Sequence, residues 1–281
     1  MYQFGISTHL FHEHRLCREH LVHIAAHGFE AIELFATRSH FDYRNEQALA
    51  ELAEWLSDTR LHVHSMHAPI VERMDKGRWV GAFSNAASDE TRRRAAVAET
   101  GAALSVASRI PFQYLVLHLG VPSSEHASPA DNHADAARRS VEEIAELAAR
   151  VNVRVAIEVI PNALSDAAAL AWLVEEQLDG VNVGVCLDYG HAHLMGDLSD
   201  AIETLSGHLW TTHVHDNGGK RDEHLAPYRG TIDWNAAMMG TQKIGYDGVL
   251  MFEVADTGDL VEVLKQCVKA RERLEKSFVT F

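Results

Sequence analysis

Short apolar runs alternate with longer amphipathic stretches along most of the chain. The runs are β-branched or otherwise apolar and predict strands over Gln3–Ser7, Ala31–Phe35, His62–His67, Tyr114–His118, Arg154–Val159, Asn182–Asp188, Trp210–His215 and Gly248–Val254. Between them the spacing turns helical. Leu49, Leu52, Ala53 and Leu56, for example, recur at intervals of three and four within Asn45–Thr59. The same reasoning predicts helices over Leu16–His27, Asp89–Ser108, Asp131–Arg150, Ser165–Gln177, Leu198–Ser206, Asp233–Ile244 and Gly258–Ser277. Eight strands alternating with eight helices demand parallel strands joined by crossover helices.

A closed (β/α)8 barrel and an open doubly wound sheet both satisfy that alternation. The barrel is preferred because several strands finish on residues able to ligate a metal. His67, His118, Glu158, Asp188 and Glu253 each close an apolar run, and His215 follows another. An open sheet would string those ends along a line, whereas a barrel brings them to one mouth. No Gly-rich dinucleotide or phosphate loop follows the first strand. No Pro/Gly/Ser-rich linker divides the chain, so residues 1–281 read as a single TIM-barrel domain. The longest loops, Ala68–Ser88 and Asp216–Thr231, then lie at the active face and are long enough to cover a substrate.

Charge narrows the partners. The net charge of −15 speaks against a nucleic acid or an anionic membrane surface. No apolar run approaches the ~18 residues that would span a bilayer. Three widely spaced cysteines give no disulfide framework, and the N-terminus lacks the features of a secretory signal, so the expected location is cytoplasmic. A homo-oligomer is compatible with these numbers.

Nine residues form the candidate metal set: His67, His118, Glu158, Asp188, His191, His215, Asp222, His224 and Glu253. Imidazole mixed with carboxylate suits zinc, manganese, cobalt or iron better than magnesium. A carboxylate at the end of an apolar strand is costly without a cation or a proton, which singles out Glu158 and Glu253. His213 is expected to point away from His215 and to be structural. His9, Trp79 and Arg221 are candidate substrate contacts, with Phe11 as an alternative stacking surface. Arg73, Arg78, Lys220 and Arg229 are further candidates for holding an anionic group.

The segment from His213-Val-His-Asp-Asn through Asp-Glu-His224 to Gly-Thr-Ile-Asp-Trp234, with Leu-Asp188-Tyr-Gly-His191, resembles motifs of the xylose isomerase-like TIM-barrel superfamily. That superfamily includes sugar isomerases, epimerases and endonuclease IV-like enzymes. The resemblance covers the whole chain and implies two chemistries. By resemblance to the ketose epimerases, Glu158, Asp188, His215 and Glu253 would hold one divalent metal. Glu158 and Glu253 would also act as the acid/base pair on a small sugar, polyol or sugar phosphate. By resemblance to endonuclease IV, all nine residues would hold three zinc ions for phosphoester hydrolysis. In that arrangement His67 and His118 share Glu158 with the second metal, and His191, Asp222 and His224 hold the third. No DNA-penetrating motif accompanies them, so a carbohydrate is the expected substrate, with one to three ions per chain, zinc or manganese foremost. A non-catalytic sugar-binding barrel is the third reading.

Overall fold

The predicted strands close into one parallel barrel. The computed structural model describes residues 2–75 and 78–277. Its strands are β1 (Gln3–Ser7), β2 (Ala31–Phe35), β3 (His62–His67), β4 (Val71–Asp75), β5 (Arg78–Ala82), β6 (Tyr114–Leu117), β7 (Arg154–Glu158), β8 (Val183–Asp188), β9 (Leu209–Val214) and β10 (Val249–Phe252). The barrel runs β1-β10-β9-β8-β7-β6-β3-β2, each strand parallel to its neighbours, and β2 returns to β1. β4 and β5 stand apart as an antiparallel hairpin. This hairpin occupies the segment expected to be an open loop after the third barrel strand.

The helices are α1 (Arg18–Ala26), α2 (Glu46–Thr59), α3 (Glu90–Leu104), α4 (Ala134–Ala149), α5 (Ala167–Trp172), α6 (Tyr189–Met195), α7 (Leu198–Thr204), α8 (Trp234–Lys243) and α9 (Leu260–Ser277). Their starts are written in the sequence. Asn45 accepts from the Gln47 and Ala48 amides to begin α2, and Asp89, Asp166, Asp197 and Asp233 cap later helices in the same way. α5 is shorter than its pattern because the chain passes into a π-helical turn at Leu173–Gln177. α6 was not among the predicted helices. It fills the space directly after β8 and matters to the site below.

Packing seals the barrel at one end. Arg154, at the start of β7, lies over the rings of Tyr114 and Trp210 and donates to the Tyr114 hydroxyl. Tyr114 and Arg154 begin their strands and Trp210 is the second residue of β9, so the cluster sits at the N-terminal end of the barrel. The carboxyl ends of the strands remain as the open face, as the general geometry of such barrels requires. Among the described residues no helix is long and apolar enough to cross a membrane.

Candidate metal centre

Six barrel strands deliver ionisable side chains to that open face. His67 ends β3, Glu158 ends β7, Asp188 ends β8 and His213 is the penultimate residue of β9; His118 and Glu253 follow β6 and β10 by one residue. All six are buried. Asp188 also caps α6, accepting from the His191 amide at 2.7 Å, so one side chain fixes the helix that carries His191. Gly190 lies between them because a Cβ there would run into the His215 ring.

The side chains converge in three groups whose potential ligand atoms lie within 4.8 Å of one another. The first is His67, His118 and Glu158. The second is Glu158, Asp188, His213 and Glu253. The third is His191, His215, Asp222 and His224. Glu158 belongs to two of them. The structure therefore brings all nine candidates together, with one exchange of place. His213, not His215, stands among the inner carboxylates. Its Nδ1 lies 2.9 Å from Glu158, 3.3 Å from Glu253 and 3.9 Å from Asp188. His215 instead meets Asp188 at 2.9 Å and stacks on His224 with ring centroids 4.0 Å apart. Strand side chains repeat their face every second residue, so His213 and His215 cannot be opposed as expected. The neglected signal was that simple period.

The hydrogen bonds around the imidazoles decide which nitrogen faces inward. His67, His191 and His224 each place Nδ1 on a backbone carbonyl, of Ala68 at 2.8 Å, Val159 at 3.1 Å and Glu253 at 2.8 Å. Carbonyls only accept, so those nitrogens carry the proton. The opposite nitrogens then point at carboxylates: His67 at Glu158 (3.2 Å), and His191 and His224 at Asp222 (3.0 and 3.1 Å). His118 Nε2 is also 3.0 Å from Glu158 Oε2, an oxygen that is buried and has no hydrogen-bond partner. Lone pairs facing one another in this way need a cation between them, either a proton or a metal. A divalent ion with oxygen and nitrogen ligands therefore fits the residues present.

The electrostatics tell the same story. Burial opposes charge on His191, yet Asp188 and Asp222 hold its pKa well above the ordinary value. Burial also opposes charge on His213, but nearby acids including Glu253, Glu33 and Glu158 raise it well above ordinary. His224 is raised to about 9, with Asp222 outweighing burial. Glu158 and Glu253 are held well below the carboxylate range despite burial, chiefly by His213. Burial alone dominates at His9 and His118, lowering both. Protons on His191, His213 and His224 occupy the places that a metal would take.

The loop after β9 is built to hold Asp222 and His224. Buried Asp216 accepts from the Asn217 and Ile232 amides and from the Trp234 indole at 2.9 Å. It also forms a backbone bridge with Leu225. Asn217 donates to the Gly190 carbonyl at 2.8 Å, tying the loop to the helix that carries His191. His224 itself sits at φ 45°, a left-handed conformation that a side chain adopts at some cost. The conspicuous His-Asp-Asn and Gly-Thr-Ile-Asp-Trp segments are thus mostly framework.

A pocket opens above the groups. Its walls include His9, Phe35, Ile70, Met74 and Trp79 on one side, Pro122, Ser124 and Glu125 on another, and His67, His118, His191, Asp222, His224 and Glu253 below. Phe35, Ile70 and Val71 form a small apolar cluster beneath the β4–β5 hairpin, with Met74 and Trp79 against it. His9 and Trp79 therefore stand where a substrate could touch them. Arg221 does not: its side chain is 83% exposed and faces Glu223. Arg73, Arg78, Lys220 and Arg229 are also exposed, and among the described residues no Lys or Arg lines the pocket. Phe11 is buried against His20 and offers no stacking surface.

Comparison with known proteins gives a consistent picture. A family model described as a xylose isomerase-like TIM barrel matches residues 21–276. An inosose isomerase of Bacillus velezensis is 22% identical over 238 residues, covering 81% of this chain and 79% of its own. Among solved structures, a D-tagatose 3-epimerase-like protein superposes with a TM-score of 0.77 at 23% identity, covering 99% of this chain and 97% of its own. The IolI protein, crystallised with a bound zinc atom, reaches 0.80 at 17% identity over 99% of this chain and all of its own.

Proposed function

The chain belongs to the xylose isomerase-like TIM-barrel family, and from that premise we propose that it is a divalent-metal-dependent isomerase or epimerase of a small sugar or polyol. The observation that carries this reading is the inner group, where Glu158, Asp188 and Glu253 converge with His213 and Glu253 opens onto the pocket. The inosose isomerase and epimerase-like similarities support the reaction class. Glu158, Asp188, His213 and Glu253 would hold the ion, zinc or manganese, which would polarise a substrate carbonyl and acidify the neighbouring C–H. Glu253 lines the pocket and would take that proton. Glu158, on β7 three strands from β10 and in the same inner group, would deliver a proton to the other face. His9 and Trp79 would bind the rest of the substrate, Trp79 by stacking on its C–H face. That no Lys or Arg among the described residues lines the pocket supports an uncharged sugar over a sugar phosphate.

The test is solvent exchange. The manganese-loaded protein, incubated in D2O with a panel of ketoses and inososes, is expected to place deuterium next to the carbonyl of at least one. Chelation should abolish the exchange. Tight sugar binding with no exchange would replace the enzyme by a binding barrel.

A second reading, a trinuclear phosphoesterase, is favoured by the two further groups, one of which shares Glu158 with the inner one. Metal content separates the two. About one equivalent per chain supports the isomerase. Two to three equivalents of zinc, with phosphate released from a phosphoester and no exchange, supports the hydrolase.

A further inference from the structure

Glu33 is a charged residue in the middle of an apolar strand, Ala-Ile-Glu-Leu-Phe, and it is fully buried. Nothing in the chemistry described so far uses it. A carboxylate buried there is strongly destabilising unless it is paired, so its partners are informative. Ser7 on β1 and Ser65 on β3 donate their hydroxyls to it at 2.9 and 2.8 Å. Its remaining partner is the His213 ring, with Nε2 at 3.0 Å. β2 and β9 are not neighbours in the barrel, so this contact crosses the interior. No local strand pairing requires it.

A carboxylate accepts, so His213 Nε2 carries the proton in this contact. His213 Nδ1 faces Glu158, Glu253 and Asp188; without a metal it too meets a carboxylate with a proton, and a metal at the inner group would take that proton's place. Ser7 holds Oε1, while Ser65 shares Oε2 with His213, and the two hydroxyls together fix the angle of the carboxylate. Carboxylates bonded to the distal nitrogen of a metal-bound histidine set its tautomer and raise its strength as a ligand. The other inward histidines use backbone carbonyls for this purpose. His213 alone among those resolved in this way uses a charged side chain.

We infer that Glu33 is a positioning residue for the inner metal, fixing His213 with Nδ1 inward and strengthening it as a ligand through the Ser7–Glu33–Ser65 clamp. The inference rests on the reading of Glu158, Asp188, His213 and Glu253 as a metal site. It concerns a residue that touches neither metal nor substrate.

The experiment titrates the metal-free, full-length protein with manganese alone and with zinc alone, for wild type, Glu33→Gln, Glu33→Asp and His213→Ala. Glu33→Gln keeps an acceptor of similar shape but removes the charge. It is expected to weaken, by about 10- to 100-fold, the same binding step that His213→Ala abolishes. Glu33→Asp should recover part of the affinity. The melting temperature of metal-free Glu33→Gln should stay within a few degrees of wild type, which a merely structural role would not allow. Unchanged affinity in Glu33→Gln overturns the inference while leaving the metal site intact. A wild-type protein that binds neither ion overturns the metal reading itself. Should Glu33→Gln fail to fold, 15N NMR of the zinc-loaded wild type decides. The His213 ring, assigned through its proximity to Ser65, must carry its proton on Nε2; a proton on Nδ1 overturns the inference.

Discussion

His213 and His215 are two residues apart and do different work. His213 sits among Glu158, Asp188 and Glu253, whereas His215 stacks on His224 and bonds Asp188. His213→Ala should therefore remove metal binding at the inner group and abolish exchange. His215→Ala should leave that group populated, as metal titration of the two variants would show. Glu253→Gln should reduce turnover by about 10²- to 10⁴-fold, the usual contribution of a positioned acid or base, while sugar binding persists. The individual ligands were legible because a His, Asp or Glu closing an apolar run is conspicuous. Their grouping was not, since it depends on which way each side chain turns at the strand end. Glu33 had a signal too, a lone acid inside an apolar strand, but its partners come from strands distant in sequence.

The elements divide between those that pattern reveals and those that packing creates. β1, β2 and β3 have the bounds that periodicity predicts, because their apolar runs meet clear turns. The β4–β5 hairpin was hidden by short strands that mix polar and apolar residues, with a Met74–Trp79 pair as the main clue. That hairpin carries Trp79 to the pocket wall. Trp79→Ala should raise KM about tenfold with kcat within a few fold, the behaviour of a group that binds ground and transition states alike. The loop after β9 makes a separate prediction. Trp234→Phe removes the indole donor from buried Asp216 and should cost about 1–3 kcal/mol in chemical denaturation. An unchanged midpoint would mean that Asp216 does not hold this loop.

At the scale of the molecule, a chain of net charge −15 brings four carboxylates, Glu158, Asp188, Asp222 and Glu253, together at the barrel mouth. Bound cations would relieve that concentration. Metal held at about 100 times its Kd would add about 2.7 kcal/mol of stability. Chelation should then lower Tm by roughly 5 °C, measured by differential scanning calorimetry. A different dependence comes from His40, buried with its Nδ1 on the His14 carbonyl and its pKa lowered by burial to about 4. The unfolded imidazole takes its proton near 6.5. Between those values the unfolded chain holds the extra proton, so stability falls as pH falls through that window. The loss is roughly 3 kcal/mol, at about 1.4 kcal/mol per pH unit. His40→Gln should flatten the decline between pH 6.5 and 4; parallel curves for variant and wild type would contradict this.

The central claim is that the open end of the barrel is a metal centre organised on the inner group. Elemental analysis of metal per chain, on protein purified without chelator or a metal-binding tag, tests it most directly. The account predicts one to three equivalents of zinc or manganese in wild type and a clear loss in His213→Ala. A folded wild-type chain that carries no metal, and takes none up on dialysis against either ion, would contradict it.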